Sequence, residues 1–155
     1  MSVSLARRDR AVAALAAGLV AGITATFFAC LAEWRAGGPP SDAFTYFATI
    51  VAGDQAVGAS WAVPLGVVAV LAAAVAWAFG YLYAAGRQPQ LVRRPLLSGI
   101  GFGVIVWLMM LALTVLVGKF HPPTIYSFDR DIVGFTVFFG IPLAFVVARL
   151  TRGGA

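Results

Sequence analysis

The sequence predicts an all-α polytopic membrane protein: four transmembrane helices in a bundle, plus a short interfacial or re-entrant helix on the outer side. Three observations lead there. First, 61% of the 155 residues are apolar and only 11% are charged, where a soluble domain carries about 25%. With a mean hydropathy of +0.93, the chain has too few charges to cover a water-facing shell, so a bilayer is the solvent for most of it. Second, four apolar runs each reach the roughly 20 helical residues needed to cross about 30 Å of hydrocarbon. Third, the basic residues are divided very unevenly between the two sides of those runs.

The spans are expected at about 11–32, 60–85, 96–117 and 131–150, within a single domain of residues 1–155. The first contains no charge. The second has Pro64 in its first turn, and Pro95 opens the third; a missing N–H is harmless at both places. Pro142 falls near the middle of the fourth and predicts a kink. Arg7, Arg8 and Arg10 resemble the start of a signal peptide, but the apolar run behind them exceeds the usual 7–15 residues or so, so it is expected to remain as a span.

Arg7, Arg8, Arg10, Arg87, Arg93, Arg94, Arg149 and Arg152 share one side with a single acid, Asp9. The other side holds Arg35, Lys119 and Arg130 against Glu33, Asp42, Asp54, Asp129 and Asp131. The positive-inside rule then places both termini in the cytoplasm, across a bacterial inner membrane. In a soluble chain the +5 net charge would suggest nucleic acid; here it is the basic rim of a membrane protein, and no nucleic-acid partner is expected. One cysteine excludes an internal disulfide.

Lipid offers helices no hydrophobic drive to associate, so small residues that let backbones approach must hold the bundle. Gly18 and Gly22 form a GxxxG in a stripe running from Ala14 to Cys30. Ala72, Ala76, Gly80 and Ala84 repeat the spacing in the second span, Gly99 and Gly103 in the third, and Gly140, Ala144 and Ala148 in the fourth. Spacing of four keeps each set on one helix face, and one such stripe is available for self-association.

Between the first two spans Pro39-Pro40 stops a helix and Ser41 or Asp42 can cap a new one. Phe44, Phe47, Ala48 and Val51 follow at i, i+3, i+4 and i+7, predicting an amphipathic helix over about 41–52, too short to span. The other outer segment carries Lys119, the sole histidine His121, Pro122-Pro123, and then Asp129 and Asp131 at the start of the last span, where a helix dipole favours negative charge. Glu33, Asp42, Asp54, His121, Asp129 and Asp131 therefore form a candidate outer vestibule. A single histidine with scattered carboxylates predicts no metal site, and no nucleophile is paired with a base. No cofactor and no enzymatic activity are expected. No charge lies deep in any span; Thr24, Thr26, Ser98, Thr114 and Thr136 are the polar side chains at depth, each able to bond back to its own helix.

The order of motifs resembles the YagU-like bacterial inner-membrane proteins. The matching stretches are Gly18-Leu19-Val20-Ala21-Gly22, Glu33 with Pro39-Pro40, Leu97-Ser98-Gly99-Ile100-Gly101, Pro122-Pro123, and Asp131-Ile132-Val133-Gly134. The chain departs from that family in having no histidine in the third span and Phe135 after Gly134. The resemblance implies a role in acid resistance without naming a reaction. The expected function is thus a small non-catalytic protein of envelope homeostasis or acid-stress tolerance, working as a homo-oligomer or as an accessory subunit of a larger membrane complex. The alternative is a permeation protein for a small solute or ion with an acidic outer vestibule.

Overall fold

Charge and proline set the ends of the helices, and small residues set how they pack. In the computed structural model, which describes residues 7–118 and 130–152, the order is α1 (Arg7–Arg35), α2 (Asp42–Ala52), a 3-10 turn (Gly53–Ala56), α3 (Ala62–Arg87), the single turn α4 (Gln90–Arg93), α5 (Pro95–Leu116) and a last helix, α6, over Arg130–Thr151. No strand occurs among the described residues. Four helices, α1 (from Arg10), α3, α5 and α6, are long and apolar enough to cross a membrane. Gly53 ends α2 with φ 72° and Gly118 follows α5 with φ 68°, left-handed conformations that glycine adopts without strain. Ser41 stands before α2 but makes no side-chain cap; its carbonyl instead accepts the Thr45 hydroxyl at 3.2 Å.

α1 lies between α3 and α6, α6 lies between α1 and α5, and α2 with the 3-10 turn packs on the first turns of α3. The shared core is mostly alanine: Ala14, Ala17, Ala21, Ala74, Ala78, Ala144 and Ala148 are all buried, around Tyr81, Val106, Leu143 and Val147. Such residues let backbones touch, and they do. A Cβ added to Gly18 would lie 2.6 Å from the Val75 Cα, one at Gly22 3.0 Å from the Ala74 Cβ, and one at Gly99 2.7 Å from the Gly140 carbonyl oxygen. Gly103 faces Phe135 and Thr136 as closely, and Gly66 lies against the backbone of Phe44 in α2. The packing roles expected of Gly18, Gly22, Gly99 and Gly103 are therefore realised.

Those of Ala76 and Gly80 are not. Ala72, Ala76 and Gly80 are exposed on α3, and a Cβ at Gly80 would meet nothing within 4 Å. α3 packs instead through Gly66, Ala74, Ala78 and Ala85, a stripe rotated away from the expected one.

In α6 a π-helical stretch over Gly134–Gly140 runs up to Pro142, the residue at which the sequence predicts a kink. Pro142 has no N–H to offer the carbonyl of Phe138 four residues back. Thr24 of α1 supplies the donor: its hydroxyl lies 2.5 Å from that oxygen, closer than to the Val20 (2.9 Å) or Ala21 (3.1 Å) carbonyls of its own helix. The Phe28 and Phe138 rings stack beside this bond with centroids 4.4 Å apart.

Candidate functional site

α3 and α5 touch little, and the space between them is what the packing leaves over. At the end carrying Arg87, Arg93 and Arg94 they are joined by rings and hydroxyls. Phe102 meets Trp77 edge-on at 6.3 Å and Tyr81 at 5.0 Å. The Tyr81 Oη lies 2.8 Å from the Ser98 Oγ, and the Ser98 hydroxyl donates to the Leu91 carbonyl of α4 at 2.7 Å. Toward the opposite, acidic end the two helices part and leave an open cavity of about 570 Å³. That volume falls within the range of about 300–1,000 Å³ typical of small-molecule sites.

The chamber has apolar walls and one charged end. Trp77, Val106, Trp107, Met110, Phe135 and Phe139 line its depth, while Glu33, Asp42, Tyr46, Arg130 and Asp131 line its acidic end. The polar groups arrive from three elements: Glu33 two residues from the end of α1, Asp42 and Tyr46 from α2, Arg130 and Asp131 from the first turn of α6. Arg130 links two of them, its Nη1 donating to the Glu33 Oε1 at 3.2 Å and its Nε to the Asp131 Oδ1 at 3.4 Å. All three side chains are partly exposed, at 39%, 29% and 43% for Arg130, Glu33 and Asp131, so the bridge ties α1 to α6 at a water-accessible rim. Burial, and then the negative charge of Asp131, push the Tyr46 phenol above its ordinary value.

Of the vestibule residues expected from sequence, the structure brings Glu33, Asp42 and Asp131 to one end of the chamber. Asp54 belongs to the 3-10 turn and does not line it. His121 and Asp129 lie outside the described residues. Among the described residues no three histidine, cysteine or acidic side chains come close enough to hold a metal ion; the carboxylates line the acidic end rather than converge on a point.

Two site residues escaped the sequence reading as such. Arg130 was visible only as one of three basic residues on the acidic side, and its pairing with Glu33 spans 97 positions of sequence. Thr26 was expected to bond back to its helix, as Thr114 does to Leu111 and Thr136 to Ile132. Instead its hydroxyl oxygen is buried with no hydrogen-bond partner, in a residue that lines the chamber. Every other described threonine donates to a carbonyl. No family model, curated protein or solved structure matches the chain.

Proposed function

We propose that the chain is a non-catalytic, multi-pass protein of a bacterial inner membrane that takes a small solute from the outer side into an intramembrane chamber. The observation that carries this reading is the 570 Å³ cavity, whose acidic end is lined by Glu33, Asp42, Asp131 and Arg130 and whose other end is closed by Trp77, Tyr81 and Phe102. A structural bundle needs no such void. In this reading both termini are cytoplasmic, since the arginines gather at the closed end. α2 lies in the outer interface or dips back beside α3, and passage beyond the chamber requires the aromatic closure to part. The resemblance to YagU-like proteins supports the envelope setting and a role under acid stress.

Thiol labelling in intact cells tests it. In a Cys30→Ala background, Ala29→Cys lies on the chamber wall and Phe27→Cys on the outward face of the same helix, where Phe27 is 67% exposed. A membrane-impermeant maleimide added outside should label the first and spare the second, which faces lipid. Labelling of Ala29→Cys only in inverted vesicles refutes the orientation, and none from either side refutes an open vestibule.

A second reading, an accessory subunit or homo-oligomer, is favoured by the outward stripe of Ala72, Ala76 and Gly80 on α3, which would accept another helix at close range. Native mass spectrometry from a mild detergent separates the cases: a larger partner supports the subunit, copies of this chain the oligomer, and a monomer neither.

A further inference from the structure

We propose that the chamber is a binding site for a lipophilic organic cation, held with its charge at the carboxylate rim and a hydrogen-bonding atom at the depth of Thr26. The proposal rests on the chamber reading above and adds the chemistry of what the chamber accepts.

Charge comes first. Among the described residues at the acidic end stand three carboxylates, Glu33, Asp42 and Asp131, against one guanidinium, Arg130. Arg130 already donates to Glu33 and to Asp131, so the rim retains an excess of negative charge. A ligand with a single positive charge complements that excess, while an anion would have to displace Arg130 from both carboxylates. The walls give the second criterion. Trp77, Trp107, Phe135 and Phe139 present apolar, polarisable faces of the kind that attract organic cations and their aromatic bodies. An inorganic ion would gain nothing from such a lining and would lose its water there.

Thr26 gives the third. A buried hydroxyl with no partner is disfavoured in any interior, and more so in an apolar one. Thr26 departs from the back-bonding that the other described threonines show; the residue lines the chamber, and a change of χ1 turns its buried hydroxyl toward that space. It lies two helical turns below Glu33, about 10 Å along α1 at roughly 1.5 Å per residue. An occupant with an ether, carbonyl or amine at that distance from its charge satisfies both groups at once. A hydrocarbon chain from a neighbouring lipid satisfies neither.

Rhodamine 6G, a lipophilic monocation bearing an ester carbonyl, is a suitable probe, read by fluorescence anisotropy with the full-length protein in phosphatidylcholine nanodiscs. Saturable binding is expected. It should be displaced by tetraphenylphosphonium and not by neutral triphenylphosphine oxide at equal concentration. The Glu33→Gln/Asp131→Asn double variant should weaken affinity about ten-fold or more, and Thr26→Val by several-fold. Arg130→Gln should strengthen it, an outcome that misfolding cannot imitate. Equal displacement by the neutral compound, or affinity indifferent to all the charge changes, overturns the cation assignment while leaving an accessible chamber. Absence of saturable binding overturns the proposal; whether the chamber reading falls with it is decided by the Ala29→Cys labelling, which needs no ligand.

Discussion

Replacing Gly99 by alanine should separate backbone contact from simple helix content as the source of stability. The new Cβ would lie 2.7 Å from the Gly140 carbonyl oxygen and 2.8 Å from the Ile141 Cα, more than half an ångström inside an ordinary contact. Both are backbone atoms of α6 and have no rotamer to change, so the helices must move apart. A gap of about 0.5–1 Å forfeits a quarter to a half of each dispersion contact along the seam, and forced overpacking of this kind costs about 1–3 kcal/mol. Gly101, two residues along the same helix, has open space at its Cβ position. Gly101→Ala gains the same intrinsic helix preference, up to ~1 kcal/mol, without the clash, so the two variants differ by the overpacking alone. Denaturation in mixed micelles followed by circular dichroism should therefore place Gly99→Ala about 1–3 kcal/mol below Gly101→Ala. A difference under about 0.5 kcal/mol, or one of opposite sign, would show that α5 and α6 do not meet through their glycines.

The bond from Thr24 to the Phe138 carbonyl exists because Pro142 withholds an amide. Thr24→Val should cost about 0.6–2 kcal/mol, and less in a Pro142→Ala background, where the carbonyl regains an N–H; strictly additive effects in that double-mutant cycle would disprove the link. Tyr81→Phe removes a hydroxyl 2.8 Å from the Ser98 Oγ and should lower stability by about 0.5–1.5 kcal/mol, whereas Tyr83→Phe, on an exposed side chain, should leave the melting temperature unchanged. Tyr46 should ionise above the ordinary phenol value of 10.0 because burial and the Asp131 charge both oppose the phenolate; Asp131→Asn should bring its ultraviolet titration downward, and a titration that does not move would remove Asp131 from its surroundings.

The four spans were legible in the sequence to within a few residues, because span length in a bilayer is fixed by hydrocarbon thickness and each run is bounded by charge or proline. The helix over 42–52 was legible for a different reason, the spacing of Phe44, Phe47, Ala48 and Val51. The packing face of α3 was not. Its alanines at 72, 74, 76 and 78 offer two small-residue stripes, and in lipid no polar face marks one of them as outward. α1 also carries two stripes, Ala13-Ala17-Ala21 and Ala14-Gly18-Gly22, but they lie side by side and both are buried, so either one points to the same face. The acidic residues of the chamber were legible as charges on one side, but the chamber beneath them was not. It arises from two helices failing to touch, which no residue pattern encodes. Likewise Thr26 differs from Thr24 only in what lies opposite it.

The unequal fastening of the helices has a mechanical consequence. α5 and α6 are joined along a glycine seam and α1 and α3 along an alanine and glycine one, so each pair resists relative movement as a plate does. α3 and α5 are joined at one end only, by Trp77, Phe102, Tyr81 and Ser98. α1 and α6 are fastened as well, by the Thr24 bond to the Phe138 carbonyl and the Phe28–Phe138 stack, so the softest deformation of such an object is a widening of the gap between α3 and α5 away from their joined end, in the manner of a clothes-peg. At the parted end, among the described residues, the Glu33–Arg130 ion pair alone crosses from α1 to α6, and one partly hydrated ion pair yields to such a widening while the packing behind it holds.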